Sequence, residues 1–73
     1  MNIIHAYTLL EDQFSGAKES RIVTVSQVTF DKMVNGIGTT FSQFDKVQAI
    51  RYNWKVIEVR QALNSDYQNN RTN

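Results

Sequence analysis

The fold class that the sequence predicts is a small α+β domain: a three- to four-stranded, mainly antiparallel sheet with one short helix and a disordered C-terminal tail. Three observations predict it. Residues 47–60 hold the only tryptophan and the densest β-branched and aromatic run of the chain, the composition of a strand half buried on a sheet. Residues 2–10 and 21–25 are rich in Ile, Val, Thr, Tyr and Leu and read as two further strands. Finally, 73 residues without cysteine suffice for one domain with a thin apolar core and no disulfide framework. That domain is assigned to residues 1–63, and residues 64–73 to a polar, flexible tail.

The first strand carries apolar groups on both faces. Ile3, His5, Tyr7 and Leu9 share one side, and Ile4, Ala6, Thr8 and Leu10 the other, which places the strand inside the sheet with a cover on one face. His5, beside Ile and Tyr, reads as a packed or rim residue. From Glu11 to Ser20 the chain turns polar around Gly16 and reads as an exposed connection of about ten residues. Glu11, Asp12, Phe14, Lys18 and Glu19 are its contact candidates, with Phe14 folding back onto the sheet. Arg21-Ile22-Val23-Thr24-Val25 follows as a second strand, pairing antiparallel with the first.

Residues 28–36 have the signals of a short helix. Thr29 is read as its N-cap, Asp31 sits in the first turn, Val28 and Met33 form a staple, and Gly36 ends it. Phe30, Met33, Val34 and Ile37 recur at helical spacing and form the stripe that packs on the sheet. Gly36-Ile37-Gly38 has neither the Gly-Lys-Ser/Thr ending nor the spacing of a phosphate-binding loop and reads as a turn. Thr40-Phe41-Ser42-Gln43 has capping-box spacing, which predicts one helical turn with Phe41 and Phe44 facing inward.

In the central strand Ile50, Tyr52, Trp54 and Val56 fall on one face, with Arg51, Asn53 and Lys55 opposite. Beyond Val56 the apolar phase shifts by one residue, which predicts a β-bulge near Val56.

Function classes narrow quickly. Eight basic and seven acidic residues leave a net charge of +1, without the basic excess of an autonomous nucleic-acid binder. One histidine and no cysteine predict no metal site, no cofactor and no catalytic constellation. No stretch has the length of a membrane span, and the start Met-Asn-Ile-Ile-His lacks a basic region followed by an apolar one, so a cytoplasmic protein is expected. Tyr52 and Trp54 lie on the face opposite Arg51 and Lys55, so the aromatics read as core rather than as base-stacking platforms, and direct nucleic-acid binding is disfavoured. What remains is a protein-binding module, monomeric when free. Its contact residues are assigned to the polar face of the central strand, Arg51, Lys55 and Arg60, with Glu11, Asp12 and Tyr67 beside them.

The whole chain, from its Met start through a 73-residue α+β pattern to a polar tail, resembles the very small phage-encoded regulators that bind bacterial RNA polymerase, displace sigma factor and promote antitermination. That resemblance implies a bacterial host cell as the place of action. It also implies a partner surface near the amino end of the polymerase β′ subunit and the β flap, with inhibition of initiation by displacement rather than by chemistry. Locally, Phe44-Asp45-Lys46-Val47 followed by Ile50-Arg51-Tyr52-Asn53-Trp54-Lys55-Val56-Ile57-Glu58-Val59 is similar to the closing strand pair of phage head–tail adaptor proteins. This second likeness implies a structural subunit that assembles into rings.

Overall fold

A computed structural model describes residues 3–71. Four strands, β1 (Ile3–Asp12), β2 (Lys18–Ser26), β3 (Thr40–Asp45) and β4 (Ile50–Gln61), form one antiparallel sheet in the order β2-β1-β4-β3. Helix α1 (Gln27–Asn35) lies between β2 and β3, and helix α2 (Asn64–Arg71) follows β4. The sheet is the α+β architecture anticipated, with β1 and β4 at its centre. Two helices are present where one was expected, because the segment expected as a tail begins with α2.

The β1–β4 ladder contains the predicted irregularity. Leu10 pairs with Val56 and Leu9 with Glu58, so Ile57 has no partner on β1. This one-residue bulge returns Val59 to the face of Trp54, although the two are an odd number of residues apart. Ile4, Ala6, Leu10, Trp54 and Val59 are the buried apolar residues. By strand alternation and register all five lie on one face, where Met33 of α1 meets Leu10, Val23, Phe41, Val56 and Val59 across an apolar cleft. Tyr52 stacks on Trp54 with ring centroids 5.0 Å apart. The indole Nε1–H donates to Gln43 Oε1 at 2.7 Å, which satisfies the one polar group that Trp54 takes out of water.

Local chemistry shifts several boundaries. Strands β1 and β2 extend further than their apolar residues, so the connection is a turn of residues 13–17 rather than a ten-residue loop. Gly16 adopts φ 79° there, which an L side chain resists. Phe14 projects from this turn and stays exposed instead of folding back. The α1 N-cap is Ser26, whose Oγ accepts the Thr29 backbone N–H at 3.2 Å; Thr29 is the third helical residue, not the cap. Asp31 therefore lies beyond the first turn, accepting a hydrogen bond from Gln27 Nε2 at 2.9 Å. Gly36 does end the helix, donating its N–H to the carbonyls of Lys32 and Met33. Of the expected stripe, Phe30 and Met33 are half-buried, whereas Val34 and Ile37 are exposed.

The largest departure is β3. Residues 40–44 are extended, not helical, and pair with residues 51–55 of β4. An extended chain sends Phe41 and Phe44 to opposite faces, and both are exposed, at 46% and 50%. In the following turn Asp45 Oδ1 accepts the backbone N–H groups of Val47 and Gln48 at 2.9 and 3.1 Å, an Asx arrangement. Ala49 closes the turn at φ 57°.

Two outcomes test this account of β4 and its turn. Deleting Ile57 should leave both halves of the strand on their present faces, so that variant should fold with a single cooperative thermal transition. Deleting Lys55, which has partners on both β1 and β3, should invert one half and abolish that transition by circular dichroism. Ala49→Gly should raise stability by about 0.5–1 kcal/mol in urea unfolding by relieving the left-handed backbone.

Candidate functional site

The six residues assigned to partner contact do not form one patch. Asp12 is buried, at 2% exposure, and is a structural residue rather than a contact. Its Oδ1 accepts the Asn53 N–H at 2.8 Å, and its Oδ2 accepts the Ser15 N–H and hydroxyl at 3.1 and 2.8 Å. The Asn53 hydrogen bond foremost, helped by Ser15 and opposed by burial, holds the Asp12 carboxyl below the usual carboxylate range. The β1–β2 turn is thereby tied to β4, a function invisible in the adjacency of Glu11 and Asp12.

Arg60 and Tyr67 belong to a second structural cluster, at the other end of the sheet. The Arg60 guanidinium donates Nη1 and Nη2 to the two carboxylate oxygens of Asp66 at 2.7 and 3.0 Å. It also donates Nε to Glu58 at 2.6 Å and lies 4.2 Å from the centroid of the Tyr7 ring. Asp66 in turn accepts the Leu63 N–H at 2.7 Å, capping the start of α2. Hydrogen bonding to Arg60 first, and to Leu63 second, outweighs burial and lowers the Asp66 carboxyl to about 2. The same two acidic partners raise the Arg60 pKa further above its ordinary value. Tyr67 meets His5 edge-on at 6.3 Å. By register His5, Tyr7 and Arg60 occupy the face opposite Trp54, so α2 is clamped to the side of the sheet that α1 does not touch.

Of the remaining assigned residues Arg51 is exposed, and Glu11 and Lys55 are half-buried. Glu11 is the cross-strand partner of both Lys18 and Lys55, so the row Lys18–Glu11–Lys55 alternates in sign and largely compensates itself. Lys55 lies between Glu11 and Thr40 of β3. Arg51 stands 5.5 Å over the Phe44 ring. Both cations therefore border β3, the element that sequence reasoning took for a helical turn.

The edge formed by β3 is the least protected part of the described molecule. It has one neighbour, β4, and carries no charge from Thr40 to Phe44. It presents Phe41 on one face and Phe44 on the other. At its ends lie Ile37, exposed, and Val47, at 95% exposure. The opposite edge, β2, is defended differently: Lys18, Glu19 and Arg21 occupy its first half, with a 3.1 Å Arg21–Glu19 ion pair, the usual device against adventitious pairing. By sequence Phe41 and Phe44 read as inward-facing, because residues three apart fit a helical stripe; the β-favouring Thr and Phe content was the available signal of a strand.

Beside β3, on the Trp54 face, an open concavity of about 630 Å³ is lined by Arg21, Glu19, Gln43, Asp45, Tyr52 and Trp54 among others. Its charges are balanced, and its two aromatic rings are packed on each other. Among the described residues no group of three His, Asp or Glu side chains is placed to hold a metal ion, and no helix is long and apolar enough to cross a membrane.

The α2 clamp has a definite pH signature. A lowered carboxyl contributes stability that is complete above its ordinary value of 3.8 and is lost as pH falls through about 2. Hydrogen exchange should therefore show α2 opening across that window while the central strands remain protected. Asp66→Asn should open α2 already at neutral pH, with roughly tenfold loss of protection confined to that helix. Comparison of the chain with protein-family models, with curated proteins and with solved structures gives no match.

Proposed function

We propose that this chain is a small, non-catalytic protein-binding regulator that receives an extended segment of a larger partner along β3. The observation that carries this reading is the uncharged run Thr40–Phe44 of the β3 edge, bordered by an exposed phenylalanine on each face. Strand addition draws affinity from main-chain hydrogen bonds and selectivity from alternate side chains; here Phe41 and Phe44 would grip those side chains from either face. Arg51 and Lys55, adjoining β3 on the Phe44 face, favour an acidic flank in the incoming segment.

The composition supports binding over chemistry, since a single histidine and no cysteine leave few of the usual nucleophile and base pairings. The packing of Tyr52 on Trp54 supports a protein partner over a single-stranded nucleic acid, because Trp54 is buried and covers one face of the half-buried Tyr52 ring. The likeness of size and character to phage regulators supplies the partner class: bacterial RNA polymerase, met at the amino end of β′ and the β flap inside the host cell. The consequence would be displacement of sigma factor and altered termination.

The test uses the full chain and purified bacterial RNA polymerase. Binding measured by interferometry should be detectable at low salt, and promoter-dependent initiation in vitro should fall with occupancy. Ser42→Asp should weaken binding at least tenfold, because a charge enters the pairing edge, and should leave the fold intact, because Ser42 is exposed and faces away from Trp54. Arg51→Glu should cost less, about threefold, through loss of steering at the rim. Absence of polymerase binding at low salt, or binding unchanged by Ser42→Asp, would remove this reading.

A further inference from the structure

The β3 edge has a second occupant that the geometry specifies more fully than any peptide. We infer that two copies of the chain associate through their β3 strands, related by a two-fold axis perpendicular to the sheet, to give one continuous eight-stranded sheet. The inference rests on the reading of β3 as the docking edge and names its occupant in the free protein. It replaces the free monomer expected from the sequence.

Three observations favour a second copy. The first is direction: a perpendicular two-fold axis makes any edge strand antiparallel to its own copy, so the pairing needs no further match of sequence. The second is complementarity at the ends. Antiparallel pairing brings the Val47 end of one β3 to the Ile37 end of the other, and both residues are exposed, Val47 at 95%. Nothing within the described chain covers that valine. No charge lies between Thr40 and Phe44 to repel its own copy across the axis, and the net charge of +1 adds little long-range repulsion.

The third is area. A half-exposed phenylalanine still offers on the order of 100 Å². Two from each copy, with Ile37, Val47 and the edge backbone, give roughly 800–1,000 Å² in total, the range of a weak and reversible interface rather than a permanent one. Such a dimer would mask the surface a partner needs and release it on dilution or competition.

The absence of cysteine permits a sharp test. Single Cys substitutions are placed one at a time from residue 40 to residue 44, and disulfide formation is followed by non-reducing electrophoresis. A two-fold antiparallel pair sets one residue directly opposite its own copy, about 5 Å away and within disulfide range; its neighbours in sequence lie more than about 8 Å from theirs. A single maximum is expected, with cross-linking falling at least fivefold on either side. Sedimentation of the cysteine-free protein should show the mass rising from 8.4 kDa toward twice that value with concentration. Phe44→Lys, which adds a cation beside Arg51 and close to the copy, should keep it at the monomer value.

A monomer at every concentration, or a flat cross-linking profile, would overturn the inference. So would masses rising past the dimer without cross-linking, the result expected if β3 met the β2 edge of the next copy in an open chain or ring. Polymerase binding by a protein that stays monomeric would refute the dimer alone, and a dimer that ignores polymerase would refute the partner reading alone.

Discussion

The molecule depends on one constraint: a single face of a four-stranded sheet must gather nearly all of its buried apolar surface. Trp54 and Val59 both belong to that face, yet they stand five positions apart, and an unbroken strand would send one of them to solvent. The bulge at Ile57 resolves the conflict within the β1–β4 ladder, just beyond the residues of β4 that pair with β3. Everything that touches this face inherits its position from that step. The Leu10–Val56 pair meets it directly, and the cleft under Met33 lies across it.

The opposite face is held by polar geometry. Arg60 engages Glu58, Asp66 and the Tyr7 ring at once, and Asp66 spends its remaining capacity on the start of α2. Helix α2 is polar over most of its length and by composition would not pack on a sheet unaided. Directed hydrogen bonds do what buried area cannot. Asp12 plays the matching part at the far end, tying the β1–β2 turn to β4. Both carboxylates are nearly sealed from solvent, and both have their oxygens satisfied by donors of fixed direction, the condition under which a buried charge is tolerated.

What was legible in the sequence follows from which forces are local. The two-sided apolar pattern of residues 3–10 placed β1 in the interior of the sheet, and the phase shift after Val56 located the bulge, because burial imposes a period on the residues themselves. The roles of Asp12 and Arg60 were not legible, since each depends on partners brought together by the fold; Asn53 lies 41 residues from Asp12. A charged side chain reads as surface until its partners are known. Residues 40–44 misled for another reason: two phenylalanines three apart satisfy a helical rule, and only pairing with β4 decides that the chain is extended. The Ser26 cap was missed because β2 runs into α1 without a loop, and Thr29, three residues on, offers the same capping chemistry in the sequence.

The thinness of the core bears directly on what the surface is for. A chain of this length buries a small fraction of its apolar groups in any arrangement, so exposed valines and phenylalanines alone say little. Their distribution says more. Edge strands are hazards that natural sequences blunt with charge, and the first half of β2 is blunted in that way. The uncharged run of β3 is not, and it is framed by Phe41, Phe44, Ile37 and Val47. Placing a charge at Ser42 would demand little of a fold whose core lies elsewhere, because that residue is exposed. An edge left open where closing it demands little points to selection for pairing at that edge. On the proposed reading the loss of apolar cover at β3 is the counterpart of its use, and the same six residues would receive a strand from a partner or from a second copy.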